Sequence, residues 1–411
     1  MSKQARKIHD VVIVGGGPSG ATAAHDLASK GLDVVLLDKA GRIKPCGGAI
    51  PPIAVKEFGI PASQIVARIS SARMVSPTDR GVDMPIDGGF VAMVDRDKFD
   101  EWLRERAAGA GANRISGTFE TLEYEDDDII ALSYLPKGEG TVTTTVRARA
   151  VIGADGARSK VARQRIPGSD KMPCVFAYHE IVKSPVCHGD EFDPARCDVY
   201  YQGKLSPDFY AWIFPHGDCT SIGVGSAVKG FSLRGAVGDL RAVTGTDACD
   251  LVRGEGAPIP LKPLKKWHDG RGVVLAGDAA GVVAPASGEG IYYAMLGGRL
   301  AGEAVEQFLT TGKSSELAMA RKRFMKLHGR VFWVLGFMQK FWYSSDKRRE
   351  RFVSMCEDED VQRLTWQAYM HKELVKADPM AHVRIFFKDM AHLLGFVPAV
   401  SQPPRDTKDA H

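Results

Sequence analysis

The sequence predicts an α/β fold: a Rossmann-like dinucleotide-binding domain, a second domain built on an antiparallel β-sheet, and a helical C-terminal region. Three observations predict it. An apolar run at residues 11–14 enters Gly15-x-Gly17-x-x-Gly20 and then a helix of small residues. Two later apolar strands, at residues 146–152 and 272–276, end in glycine turns that carry Asp155 and Asp278. Short aromatic segments fill residues 173–228, and the pattern beyond residue 312 is helical.

The first forty residues organise the rest. Residues 11–14 are β-branched and wholly apolar, which suits a buried parallel strand. Gly15 allows the tight turn, Gly17 lets backbone approach a pyrophosphate, and Gly20 lets helix and strand pack closely. Ala21, Ala24, Leu27 and Ala28 mark one face of the helix, whose N-terminus offers unpaired N–H groups to phosphate. A turn at Lys30-Gly31 starts a second apolar strand, residues 34–37, closed by Asp38, whose carboxylate can accept both hydroxyls of an adenosine ribose. A lone glycine motif is weak in a chain with 44 glycines. Strand, glycines, helix, strand and acid in this order are specific. They leave NAD and FAD open, and the acid disfavours the 2′-phosphate of NADP as resident ligand.

A chain of 411 residues holds two substantial domains, or one nucleotide domain with a second inserted into it. Hydrophobic residues at 44% and charged residues at 25% read as ordinary globular protein. The formal charge of +4 is modest and its lysines and arginines are spread out, so nucleic acid is not an expected partner. Seven scattered cysteines with no CxxC pair suggest neither a disulfide framework nor zinc. The residues ahead of the first strand leave no room for a signal peptide, and no apolar run approaches the roughly 18 residues of a membrane span. The expectation is a cytoplasmic protein.

Pro45-Cys46-Gly47-Gly48 follows the second strand as a close-approach loop. Cys46 has two readings: a small half-buried side chain, or a thiol facing a cofactor or substrate. No histidine lies near it in sequence to serve as a base. Asp95 or Asp97 can cap the next helix, with Phe99, Leu103 and Ala107 on one face. Arg96 in its first turn is mildly disfavoured by the helix dipole, which suggests a phosphate or carboxylate partner; a plain surface arginine is the alternative. Residues 118–145 read as strands joined by exposed turns, with the acids at 125–128 in a solvated loop.

Gly153-Ala154-Asp155-Gly156 returns the chain to the nucleotide sheet and places Asp155 at a strand end. Residues 198–202, 209–214 and 220–225 then suggest an antiparallel sheet able to cover an apolar ligand, with Tyr201, Tyr210 and Trp212 as walls or as core. Residues 232–243 look helical. After residues 272–276 come Gly277-Asp278, Pro285-x-x-Gly288-Glu289-Gly290 and a helix over residues 291–308. Asp278 can hold a sugar hydroxyl, and the amides of Gly288 to Gly290 can face an electron-rich ring edge. The small residues Ala294, Gly297, Gly298 and Ala301 let that helix press close to a sheet or flat ligand.

The last hundred residues are helical. Residues 330–343 are rich in aromatics, with Lys347, Arg348, Arg349 and Arg351 just beyond, and residues 385–396 form a second apolar patch. They read as helix packing or as a greasy entrance lying against a membrane surface. Residues 401–411 read as a frayed tail.

Together the first glycine motif with Asp38, the Gly153–Gly156 turn, and Gly277-Asp278 with Pro285-x-x-Gly288-Glu289-Gly290 resemble the three fingerprints of FAD-binding proteins of the para-hydroxybenzoate hydroxylase type. Within that group, Pro45-Cys46-Gly47-Gly48 and the helical C-terminal part are similar to the geranylgeranyl reductase family, over nearly the whole chain and closest to its branch in photosynthetic bacteria. The resemblance implies that Gly15, Gly17 and Gly20 take the FAD pyrophosphate, Asp38 the adenosine ribose, and Asp278 the ribityl–phosphate segment. It places Arg96 near the FAD phosphates and Asp155 as a brace for cofactor binding and NADPH approach. Gly288 and Gly290 would face the isoalloxazine, with Cys46, Gly47 and Gly48 on the cavity side and Cys46 as candidate proton donor by location.

The activity so implied is FAD-dependent, NADPH-driven reduction of three isolated double bonds of geranylgeranyl diphosphate or geranylgeranyl-bacteriochlorophyll, leaving a phytyl chain. Membrane or pigment-synthesis proteins are the implied peripheral contacts, at the inner photosynthetic membrane. Two rivals share the fingerprints: a flavin monooxygenase, and a non-enzymatic prenyl-lipid-binding flavoprotein. The implied division is an FAD-binding domain at 1–75, 96–172 and 269–312, a substrate domain at 76–95 and 173–268, a helical region at 313–400, and a tail at 401–411.

Overall fold

The computed structural model describes residues 7–39, 43–138, 141–186 and 192–372. The apolar patch expected at 385–396 and the tail at 401–411 lie outside the described residues. The first sheet is built on five parallel strands, in the spatial order Asn113–Tyr124, Val34–Asp38, Ile8–Val14, Thr144–Gly153, Val273–Leu275. Val11, Val12 and Ile13 are fully buried between neighbours on both sides, which is why the run has no polar alternation. The antiparallel strand Ile130–Pro136 joins the far ends of Asn113–Tyr124 and Thr144–Gly153.

The helices Pro18–Ala28 and Ile291–Thr311 pack together on this sheet. Their contact explains the glycines: a Cβ at Gly298 would lie 2.1 Å from the Ser19 carbonyl oxygen. The second sheet has seven strands, in the order Leu251–Pro260, Cys174–Lys183, Cys219–Ser226, Ala211–His216, Arg196–Tyr200, Ser71–Val75, Gly81–Pro85. It is antiparallel except at one seam, where Arg196–Tyr200 runs parallel to Ser71–Val75. A three-stranded patch of Ala49–Ile50, Val91–Met93 and Ala67–Ile69 lies where the chain passes between the two. Three helices, Ala318–Trp342, Asp346–Met355 and Glu359–His371, close the described chain.

The long helix Ala318–Trp342 separates its aromatics by face. Phe324, His328 and Phe332 are buried against Tyr293. Trp333 and Phe337 are 73% and 57% exposed and stack in line with Phe341. Arg349, one of the basic residues just beyond the aromatic run, is buried, pairing with Asp346 and donating to the Pro207 and Tyr343 carbonyls.

Candidate functional site

The glycine turn closes as its residues require. Gly15 has φ +105°, and a Cβ there would lie 2.3 Å from the Ala154 carbonyl oxygen, so the turns of Gly15 and Asp155 are packed backbone to backbone. A Cβ at Gly20 would meet the Gly15 carbonyl oxygen at 1.8 Å. Gly17 differs: a Cβ there meets no protein atom within 4 Å. It precedes the helix Pro18–Ala28, whose start has no side-chain cap. Space and unclaimed N–H groups at a helix start are what a phosphate needs. Ser19 in the first turn instead points its buried hydroxyl toward Gly277.

Asp38 accepts the Gly16 N–H at 2.9 Å. Arg104, which the sequence reading passed over, donates to the Gly16 carbonyl at 3.2 Å and lies 3.6 Å from Asp38. It comes from the helix Arg96–Gly109, two turns beyond Arg96. Arg96 does have a carboxylate partner, but a local one: Asp100, one turn on, accepts two bonds at 2.7 Å, and both residues are buried. Burial works against the guanidinium charge, yet Asp100 and then Cys46 outweigh it and raise its pKa. Arg96 thus stands beside the thiol. Asp95 precedes this helix without capping it, because its carboxylate faces His216.

Asp155 accepts from the Ser159 hydroxyl and from the amides of Lys160, at 2.6 Å, and Val161, at 3.3 Å. Its oxygens brace the start of the short helix Lys160–Arg165. Burial raises its pKa despite these donors. Asp278, also buried, pairs with Lys44 from the strand-to-Cys46 linker, and a Cβ on Gly290 would come within 3.9 Å of it. The linker and the turn after Val273–Leu275 meet here in space although 234 residues separate Lys44 from Asp278.

The two remaining glycine loops meet the aromatic sheet. Gly288, φ +66°, leaves a Cβ only 2.9 Å from the Tyr210 hydroxyl, and Tyr210 donates to the Ser287 carbonyl. Phe209, Tyr210 and Trp212 are buried, with Phe209 stacked on Tyr210 at 4.2 Å. Cys46 is half-buried and accepts the Gly48 N–H at 3.4 Å. Gly48, φ +73°, would place a Cβ 2.4 Å from the His216 ring. His216, unseen in sequence as a neighbour of Cys46, reaches the Gly47 carbonyl at 3.0 Å.

Glu289, between the two loop glycines, is paired with Lys372 at the end of the last described helix; both side chains are buried. Burial lowers the Lys372 pKa against the pull of Glu289, whose other oxygen has no partner. Tyr369 lies under the ammonium at 3.9 Å.

An open glycine turn at a helix start, a buried acid near Gly290, and two close-approach loops against an aromatic sheet are the parts that a dinucleotide-dependent oxidoreductase requires. The profile of the family Pyridine nucleotide-disulphide oxidoreductase matches residues 9–185. The chain is 54% identical to geranylgeranyl diphosphate reductase of Rhodobacter capsulatus, over 95% of this chain and 98% of that one. It is 34% identical to geranylgeranyl diphosphate reductase of Synechocystis, over 93% and 97%. The chain belongs to the geranylgeranyl diphosphate reductase family. Among solved structures, a geranylgeranyl bacteriochlorophyll reductase-like protein from Thermoplasma acidophilum shares the fold, with TM-score 0.79, 22% identity, and coverage of 92% of this chain and 100% of that one.

Proposed function

We propose that this protein is an FAD-dependent reductase that saturates isolated C=C bonds of a geranylgeranyl group, with NADPH as reductant. The observation that carries the reading is the meeting of the Cys46 and Gly288 loops with a buried aromatic sheet face beside one dinucleotide site, in a chain 54% identical to such a reductase. The residues present fit FAD: the open space at Gly17, before a helix start with no side-chain cap, suits a pyrophosphate. Gly15, Gly17 and Gly20 would hold the pyrophosphate, Asp38 the ribose, Asp278 the ribityl end, and Gly288 to Gly290 the ring.

When bound, FAD supplies hydride for the alkene carbon. The protein supplies the rest. Phe209, Tyr210 and Trp212 form a wall that excludes water and holds an apolar chain. Cys46 is the proposed proton donor, with the Arg96 guanidinium beside it to stabilise the thiolate left behind. Free geranylgeranyl diphosphate and a pigment-esterified geranylgeranyl group are both proposed substrates. Anaerobic incubation with NADPH and each in turn is expected to give products heavier by two, four and six hydrogens. Product formed only with oxygen consumption would replace a reductase by a monooxygenase, and equal anaerobic flavin bleaching by NADH would remove the preference for NADPH.

The same alternation of FAD-binding and substrate domains is proposed for the chain, with its first border at the strand Ser71–Val75, which pairs into the second sheet. Among the described residues no helix is long and apolar enough to cross a membrane. Peripheral contact with an anionic membrane is proposed through Trp333 and Phe337, on a helix that also exposes Lys326, Arg330 and Lys340. The double variant Trp333→Ser, Phe337→Ser is expected to lose sedimentation with anionic vesicles while keeping its melting temperature. Unchanged sedimentation would discard this face as the contact.

A further inference from the structure

One face of the seven-stranded sheet changes chemistry along its length. Along Ala211–His216, alternate residues Trp212, Phe214 and His216 share a face. The register sets them beside Gly223, Ser221 and Cys219, and then His179 and Ile181, with Glu255 and Arg253 next. The Trp212 end is the apolar wall. His216 and Cys219 hold the other end, while His179 and Glu255 stand across from Trp212, and Arg253 across from Phe214, on the strands beyond Cys219–Ser226; these two imidazoles, thiol, carboxylate and guanidinium line one cavity. The Cys46 loop crosses at the border between wall and cavity, since a Cβ on Gly47 would meet the Phe214 ring at 3.0 Å and one on Gly48 would meet His216.

On the polar side lies a cavity of about 160 Å³ that reaches Cys46. Lys44 and Asp95 to Lys98 close it from the other side. It has room for several waters, and is too small for a nicotinamide nucleotide or a prenyl chain. His179 Nε2 lies buried here, 3.4 Å from Glu255, which also pairs with Arg253 at 3.0 Å. His216 Nδ1 lies 3.1 Å from Asp95 Oδ1, and its Nε2 faces the Gly47 carbonyl. Both partners accept, so the ring carries a proton on each nitrogen when both contacts are made, and releasing one gives up a contact. Burial pushes the Asp95 carboxyl up, but the hydrogen bond and charge of His216, with Lys98 and Arg253 behind them, hold it below the usual carboxylate range.

Saturating one bond consumes one NADPH and one proton, and that proton must come from water that the aromatic wall keeps out. We infer that this polar cavity is the proton entry for alkene reduction, with His216 and Asp95 as the positioning pair that recharges Cys46. The inference rests on Cys46 as proton donor. The S–H bond of Cys46 breaks as a C–H bond forms, leaving a thiolate beside Arg96. An imidazolium N–H of His216 then breaks and, through cavity water, the S–H bond is restored. Bulk water entering the cavity reprotonates the ring.

His216→Gln keeps a donor toward Gly47 but carries no mobile proton. Its flavin is expected to be reduced by NADPH at the parent rate, whereas anaerobic reoxidation by alkene substrate slows by ~10-fold or more and acquires a solvent deuterium isotope effect. In flavin-free protein, alkylation of Cys46 by iodoacetamide, read from its peptide mass, should follow an imidazole titration that His216→Gln abolishes. Asp95→Asn should slow the same half-reaction, and with the parent's alkylation profile it carries the test if the glutamine variant misfolds. Parent-like reoxidation in His216→Gln alongside a slow Cys46→Ala overturns the inference and leaves the donor assignment standing. Slowed reduction by NADPH also overturns it, because the cavity would then serve the nucleotide. A fast Cys46→Ala removes the donor assignment and the inference with it.

Discussion

Gly17→Val is expected to yield a folded protein that has lost its flavin. The backbone there has φ −76° and ψ −176°, which any residue adopts, and a Cβ meets no protein atom within 4 Å. Valine is a poorer helix cap than glycine, but that difference is about 1 kcal/mol and leaves most of a domain's stability intact. The side chain would instead occupy the space left for a pyrophosphate. The flavin-to-protein absorbance ratio should collapse while far-ultraviolet circular dichroism stays close to the parent's and the melting profile matches that of the flavin-stripped parent. Gly20→Val is the contrast: its Cβ would overlap the Gly15 carbonyl, so the fold itself should fail. Full flavin occupancy in folded Gly17→Val would remove the glycine turn from the cofactor site.

Cys46→Ala is expected to retain FAD and its reduction by NADPH, and to lose most alkene reduction. The thiol meets the Gly48 N–H and Arg96, whose guanidinium keeps its Asp100 pair, so binding at Gly17 and Asp38 should survive. Loss of a proton donor costs typically ~10²–10⁴-fold, whereas loss of a contact costs less. Cys46→Ser separates the two, since it keeps shape and a hydrogen-bonding proton but not thiol acidity. The measurement is reoxidation of pre-reduced enzyme by substrate without oxygen. A parent-like rate and the same fully reduced product in Cys46→Ala would leave Cys46 only filling space.

The strands and glycine turns could be read from sequence because their causes are local. A run of β-branched residues cannot sit half in water, and Gly15 and Gly20 answer to atoms of their own motif or of the adjoining turn. Arg96 shows the limit of such reading even at short range: its helix-start position suggests a phosphate or carboxylate without naming it, and the structure supplies Asp100 four residues on, at ordinary helix spacing. The other partners are set by tertiary placement. Arg104 reaches a carbonyl 88 residues earlier, and His216 faces a carboxylate 121 residues away. The parallel seam of the second sheet was hidden for the same reason, since no local pattern in residues 71–75 names 196–200 as its neighbour. The aromatic face divided where period 2 puts Phe214 and His216 side by side, a border that appears only once both glycines of the Cys46 loop are laid across it.

The pair between Glu289 and Lys372 has a consequence for how the molecule is made. Its members are 83 residues apart, and the lysine comes second. A chain emerging from the ribosome therefore carries the carboxylate of the Gly288–Gly290 loop, amid buried tyrosines, well before the matching ammonium exists. Leaving one member of a buried pair alone costs about 3–5 kcal/mol, so that loop has reason to stay hydrated and unsettled until then. The first glycine turn can assemble from earlier residues, but the surroundings of the Glu289 loop are finished only when the helix Glu359–His371 has been made.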